Sequence, residues 1–450
     1  MKRFLKNKAV LKDCKIYQVL SESAKKKHLS FHTPGHKIGK WDITELSFSD
    51  NLSCPRGCIA EAERDIANCI GAKKSFILTD GSTSGVLSML YAAKTLGVQS
   101  IAFCQNSHKS IFNGCQMLGL TALIYPSEER EKIPFPPTMS ALNTKFGSVL
   151  SAADALFFTS PDYYGNVADL AAVREYCDKT GKLLLIDGAH GGHLHFDKDL
   201  YAGAYADMWV DGVHKNLPAF TQGALVSART DLAAEALRKA VDIFRTTSPS
   251  YPIMASVEYA VKYPRNETLE KSVRDFANNN PRIYLGADWT KLCVVFGNSA
   301  FEVEKELENQ GVYAEFCDGH TLMFYLSPAT TAKQWISLQK ILIGLFEKYP
   351  LASAQVSQTT EISQKEQILQ EFEEQNTPSL PSCSQYATEW VAISQTNGRI
   401  CALQCGMFPP CTPLLTDGER VTSEKLRLLE KSSNVFGLKD GKMLVYVEKE

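Results

Sequence analysis

WVDGVHKNLPAFTQGALV, Trp209 to Val226, sets Lys215 beside His214 between two apolar runs. The first run reads as a buried strand, and the Pro, the Thr-Gln pair and the Gly that follow read as a tight loop before a second strand. A lysine drawn into a core costs on the order of several kcal/mol in lost hydration unless it is neutralised, paired or covalently engaged. The residues around this stretch must therefore supply its partner.

Outward from it, apolar strands alternate with amphipathic helices. Strands are expected at SFILTD (75–80), SIAFCQ (100–105), ALIYP (122–126), ALFFTS (155–160), KLLLID (182–187), DMWVDG (207–212) and GALVSA (223–228). Helices are expected at residues 14–28, 59–71, 85–96, 109–118 and 169–180. This order predicts an α/β fold, a mostly parallel sheet covered on both faces, with ligands gathered at the carboxyl ends of its strands. Beyond Tyr263, KLCVVFG (291–297), TLMFYLSP (321–328) and MLVYVEKE (443–450) predict strands of a smaller α+β domain. The expected division is an N-terminal helix and loop over 1–45, a large domain over 46–265 and the smaller one over 266–450. Within the last, the Ser/Gln/Glu-rich stretch 353–383 reads as a polar linker carrying a solvated helix.

The chain has 450 residues, room for more than one core, and its 48 Lys and Arg against 50 Asp and Glu leave no field for nucleic acid. Thirteen scattered cysteines without a C-x-x-C pair point to free thiols in a reducing compartment. No apolar stretch reaches the length of a membrane span and no signal peptide is evident, so a cytoplasmic protein is expected.

Three other stretches carry chemistry. In LLLIDGAHGGHLHF (183–196), Asp187 ends a strand, where a carboxylate either caps a turn or faces a cation or a protonated ring nitrogen. His190, His193 and His195 lack a fourth ligand at suitable spacing, and alternation along a strand would split them between faces, so no metal is expected. ILTDGSTSGVL (77–87) is a strand, a small-residue turn and a helix start, suited to N-capping or to a phosphate held by backbone N–H groups and the hydroxyls of Ser82, Thr83 and Ser84. In QNSHKSIFNG (105–114), His108 opens a helix, either without consequence or lying flat against an aromatic ring. A phosphate cup, a stacking histidine, a strand-end aspartate and a later lysine are together the needs of pyridoxal phosphate. Lys215 would then carry that cofactor as an imine and avoid the desolvation cost of a free ammonium.

The order and wording of FHTPGHKIG (31–39), TELSFSDNLSCP (44–55), GSTSG (81–85), NSHKS (106–110), SPDYYGNVADL (160–170), DGAHGGHLHF (187–196), HKNLPAFTQG (214–223) and TTSPSYPIMASVE (246–258) resemble the Orn/Lys/Arg decarboxylase family of fold-type I pyridoxal-phosphate enzymes, particularly its short bacterial members. The C-terminal part matches mainly through FPPCTPLLTDGE (408–419). The resemblance implies Lys215 as the Schiff-base lysine and Asp187 as partner of the pyridinium nitrogen. It implies His108 stacked on the ring, Ser82 and Thr83 on the phosphate, Ala189 beneath the ring, and His190 and His214 close by. It further implies a homodimer or larger assembly with shared sites, the segment Thr247 to Tyr251 reaching the neighbouring subunit. The implied reaction releases CO2 from lysine, arginine or ornithine to give a polyamine precursor.

Three positions depart from the family pattern. Gly212 stands where a serine usually helps the phosphate, Gly188 where a glutamate is frequent, and Leu403 where a glutamate usually precedes the Pro-Pro pair. The cofactor elements alone do not choose the bond to be broken, so transamination or elimination is the second reading and a non-catalytic cofactor-binding relative the third.

Overall fold

The computed structural model describes residues 5–26, 29–37, 40–130, 133–351, 387–407, 411–431 and 435–447. The expected linker at 353–383, apart from the described residues on either side of it, and Phe408 to Pro410 of the C-terminal motif lie outside them.

Helices α1 (Lys8–Lys12) and α2 (Lys15–Ser23) lead to α3 (Cys58–Ile70). The alternating part follows as β1 (Lys74–Leu78), α4 (Ser82–Thr95), β2 (Ser100–Cys104), α5 (Lys109–Leu118) and β3 (Thr121–Tyr125). A hairpin of β4 (Glu128–Arg130) and β5 (Ile133–Phe135) and helix α6 (Met139–Ala152) intervene before β6 (Ala155–Thr159), α7 (Leu170–Thr180), β7 (Leu183–Asp187) and β8 (Met208–Asp211). The single turn α8 (Val213–Asn216) joins β8 to β9 (Ala224–Ala228), and α9 (Asp231–Phe244) and α10 (Tyr251–Val261) complete this part.

The seven strands lie in the order β1-β9-β8-β7-β6-β2-β3. Only β9 runs against its neighbours β1 and β8; the β8-β7-β6-β2-β3 pairs are all parallel. The expected mostly parallel sheet is therefore present. Its strands are short apolar runs buried on both faces, and the side-chain period of two sends successive residues to two different cores. In β7, Leu184 and Ile186 join the core under α2, α3, α6, α7 and α10, while Leu185 joins the one under α4, α5 and α9. Helix α4 lies so close to the sheet that a Cβ on Gly85 would come within 2.6 Å of Val210 Cγ2. The helix expected over 14–28 stops at Ser23, because Ile16, Leu20 and Ser23 form its buried stripe and Lys25 and Lys26 face solvent; residues 27 and 28 lie outside the described residues.

A second, antiparallel sheet, β10-β11-β13-β12, follows, built from β10 (Ile283–Leu285), β11 (Lys291–Val295), β12 (Phe316–Cys317) and β13 (Thr321–Tyr325). It packs with α11 (Glu267–Asn278), α12 (Ala300–Asn309) and α13 (Ala332–Lys348) around its own core of Leu292, Val294, Val303 and Trp335. The last described part holds β14 (Thr388–Ala392), β15 (Cys405–Met407), β16 (Pro413–Leu415), α14 (Ser423–Lys431), β17 (Val435–Phe436), β18 (Leu438–Lys439) and β19 (Lys442–Tyr446). These strands form the small sheets β14-β19-β18 and β16-β15-β17, with Cys401, Leu415, Val421 and Met443 buried between them. The twelve cysteines among the described residues are free thiols, and no described helix is long and apolar enough to cross a membrane.

Candidate active site

The carboxyl ends of β1, β2, β6, β7 and β8 point to one edge of the large sheet, and a cavity of about 190 Å³ opens there. That is many times the space one water needs, so the cavity admits a sizeable ligand. Each strand delivers residues into it: Ser82 after β1, His108 after β2, Thr159 and Asp162 at the end of β6, Asp187, Ala189 and His190 after β7, and Lys215 after β8. Most of the residues expected at the site thus meet in one place, as the topology of such sheets dictates.

Lys215 is positioned by α8, whose turn closes with its own N–H donating to Gly212 O at 2.8 Å. Its Nζ lies 2.9 Å from His190 Nε2. Burial lowers the pKa of Lys215, the charge of Asp187 opposes this, and the charge of Lys291 adds to it. Burial also lowers His190 well below its ordinary value, helped by Lys215, so His190 is a neutral acceptor for the lysine. Asp187 is 4% exposed and accepts from Ala189 N–H at 3.0 Å; burial raises its pKa while Lys215 lowers it. An unpaired carboxylate here would resist ionisation, so a cationic partner in the cavity stabilises its charged form.

His108 caps α5, its Nδ1 accepting from Ser110 N–H at 3.2 Å. Burial, then the charges of Lys215 and Lys109, push its pKa down to about 4, which keeps the ring neutral. Ser82 opens the fourteen-residue α4 and faces the cavity, whereas Thr83 is exposed and outside the lining. His214 likewise stays outside the lining, its Nδ1 3.0 Å from Gly223 O. Ser84 Oγ donates to Asp80 and to Gly81 O instead of facing a ligand.

The three histidines of 190–195 do not lie on a strand. Gly191 and Gly192 turn the chain into a 3-10 helix, so His190 meets Lys215, His193 Nε2 meets Asp288 Oδ1 at 2.8 Å, and His195 Nδ1 meets Gly192 O at 2.8 Å. Of the segment Thr247 to Tyr251, Thr247 and Ser248 are exposed, but Tyr251 is fully buried in its own subunit, bonded through its hydroxyl to Asp50. Leu403 is 41% exposed and does not line the cavity.

Several cavity residues escaped the sequence reading. Tyr163, Phe316, Met407 and Thr412 line it, the last three from beyond residue 266. The rings of Tyr163 and Tyr325 both stand nearly perpendicular to that of His190, with centroids 5.2 and 5.7 Å away. Behind them Lys291, 0% exposed, binds Asp288 at 3.1 Å with its ammonium 4.3 Å from the centre of the Tyr325 ring. Thr290 Oγ1 joins this cluster to Asn216, next to Lys215, by a 2.9 Å bond. The available signals were the tyrosine pair in SPDYYGNVADL and Thr412 in FPPCTPLLTDGE; a lysine opening a strand reads as a surface residue.

The Orn/Lys/Arg decarboxylase major-domain family model matches residues 15–281. The uncharacterized protein YaaO of Bacillus subtilis (strain 168) is 28% identical over 97% of this chain and 99% of its own length. The arginine decarboxylase of the same organism is 26% identical over 93% of each chain. The solved structure of the Escherichia coli constitutive lysine decarboxylase superposes with a TM-score of 0.69 at 19% identity, covering 97% of this chain and 82% of that one, so the two share the fold-type I architecture. With its family model matched over more than half its length, the chain belongs to the Orn/Lys/Arg decarboxylase family.

Proposed function

We propose that this protein is a pyridoxal-phosphate-dependent decarboxylase of a basic amino acid (lysine, arginine or ornithine), forming a polyamine or its precursor such as cadaverine, agmatine or putrescine. The observation that carries the reading is the convergence of Lys215, Asp187, His108 and His190 in one cavity at the strand ends. The residues fit a phosphorylated pyridine: Thr159 Oγ1, Tyr125 OH and His190 Nδ1 are buried around the cavity without hydrogen-bond partners among the described residues. Buried polar atoms left so are costly unless a ligand satisfies them.

In this reading Lys215 holds the cofactor, Asp187 keeps its ring nitrogen protonated, and His108 stacks its neutral ring on the pyridine. Ser82 and the N-terminus of α4 hold the phosphate, and Ala189 packs beneath the ring. When bound, pyridoxal phosphate supplies the electron sink for the bonding pair released as CO2 leaves. His190, neutral and 2.9 Å from Lys215 Nζ, accepts a hydrogen bond from the lysine and orients it, while burial and the charge of Lys291 favour its neutral, nucleophilic amine. Lys215 then returns a proton to the α-carbon. We place the protein in the cytoplasm as a homodimer or larger assembly, with Thr247 to Ser250 free to meet the neighbouring subunit.

The test loads purified protein with pyridoxal phosphate, records the visible absorbance of lysine-bound cofactor, and assays CO2 and amine with each of the three amino acids. CO2 from one of them is expected, with Lys215→Ala losing both the absorbance and turnover. Keto-acid formation in place of CO2 assigns transamination, and absorbance without any turnover assigns the non-catalytic relative.

A further inference from the structure

Resting on the decarboxylase reading, we propose that Glu315 receives the side-chain cation of the substrate, with Tyr163 holding its carboxylate at the mouth of the cavity. A chain of contacts runs outward from the reacting end. Lys215 Nζ meets His190 at 2.9 Å, the His190 ring meets that of Tyr163, and Tyr163 OH donates to Glu315 Oε1 at 3.0 Å. Glu315 precedes Phe316, which lines the cavity, and its own N–H donates to Met323 O, fixing the loop to β13.

The two carboxylates that line the cavity, Asp162 and Asp187, are committed, whereas Glu315 lies just outside the lining, next to Phe316 and on Tyr163. Asp187 faces the place of the ring nitrogen. Asp162 accepts from Asn166 Nδ2 at 2.9 Å and from the N–H groups of Tyr164 and Asn166 at 2.9 and 2.8 Å. Glu315 has no cation within ion-pair distance among the described residues, and its residue is exposed. Its charge is nevertheless felt at Lys215 and Lys291, raising the affinity of each for a proton. Lys291 cannot turn to it, being held by Asp288 and the face of Tyr325. A substrate anchored near Lys215 whose side chain runs past Tyr163 therefore brings the missing cation to Glu315. Tyr163, Tyr164 and Phe316 supply apolar walls for its methylenes and aromatic faces for its charge.

The experiment compares wild type, Glu315→Gln and Glu315→Asp, all loaded with pyridoxal phosphate. Glutamine keeps an acceptor for Tyr163 and removes only the charge. Calorimetric titration with cadaverine, agmatine and putrescine, and steady-state kinetics with the preferred amino acid, are expected to show about 10- to 100-fold weaker binding and a matching rise in KM for Glu315→Gln. Aspartate should recover part of it, binding of neutral norleucine should not differ, and the visible cofactor absorbance should persist. Equal affinity and KM in wild type and Glu315→Gln overturn the role of Glu315 and leave the decarboxylase reading standing. A wild-type protein that releases no CO2 from any of the three amino acids overturns that reading and the assignment of Glu315 with it.

Discussion

The sequence resemblance sets Gly212 where a serine is common, and placing a hydroxyl there tests whether the proposed cofactor site has lost a contact or has closed around its absence. The backbone of Gly212 is at φ −82° and ψ 74°, open to any residue, so no torsional strain opposes the change. The obstacle is space: a Cβ there would lie 2.6 Å from Ala189 O and 3.3 Å from Lys215 Cδ. The first of these is a backbone atom of the segment that would pack beneath the cofactor ring, and it cannot swing aside as a flexible side chain does. Overpacking of this kind costs about 1–3 kcal/mol, against about 0.4–1 kcal/mol gained by restricting the unfolded chain. Gly212→Ser and Gly212→Ala are therefore both expected to be about 1–2 kcal/mol less stable than wild type in urea unfolding without cofactor. Neither is expected to bind pyridoxal phosphate more tightly in a fluorescence titration, because relieving the contact moves Ala189 or Lys215. A serine variant as stable as wild type, with tighter cofactor binding than the alanine variant, refutes the argument and makes Gly212 a simple loss of a ligand.

Two further predictions concern buried charge. Burial would raise the Asp288 carboxyl, but His193 and Lys291 overcome it and hold its pKa low, so Asp288→Ala strands a 0%-exposed lysine and should cost about 3–5 kcal/mol in chemical unfolding; a loss under about 1 kcal/mol would show that the cluster contributes little. For His108, whose folded pKa falls from 6.5 to about 4, the contribution to stability is fully present above pH 6.5 and lost as pH falls through about 4. The stability of cofactor-free wild type relative to His108→Gln should accordingly drop by about 3 kcal/mol between pH 6.5 and 4 and stay constant above 6.5; a pH-independent difference would place His108 in water.

The strands of the large sheet were legible because they are short apolar runs bounded by Gly, Asp or Ser, and once their order was read, the strand-end residues fell to one edge. That is why Asp187, His108 and Lys215 could be expected together from positions 79 and 28 residues apart. The hairpin of β4 and β5 was not legible, since EEREKIPFPP combines charge and prolines and neither alternates nor runs apolar. The three histidines were misplaced for a similar reason: their spacing mimics a strand, but Gly191 and Gly192 break it into a turn. Glu315, Phe316 and Tyr325 lie at least 100 residues from Lys215 in sequence; Phe316 lines its cavity, Tyr325 meets His190 and Glu315 meets Tyr163 only through packing of the second sheet, which no local pattern records.

That packing explains why Lys215 can be both buried and controlled. Asn216 follows Lys215 directly and is tied to Thr290, which shares Asp288 with His193 and Lys291. The turn that carries Lys215 is thereby fastened to the second sheet by a buried amide–hydroxyl bond, and the hydroxyl is held in turn by the charge-assisted bonds around Asp288, which burial strengthens. The same cluster places a second ammonium near Lys215, and that charge lowers the lysine's proton affinity beyond what burial achieves. A displacement of the second sheet would loosen α8, withdraw Lys291 and carry Glu315 away from Tyr163 together. The proposed cofactor attachment, the basicity of Lys215 and the proposed grip on the substrate's cation are therefore coupled through one junction, so substitutions at Asp288 and Glu315 should differ in kind: the first disturbs the cofactor's absorbance, and the second leaves that absorbance in place while changing what the substrate's side chain feels and lowering the proton affinity of Lys215.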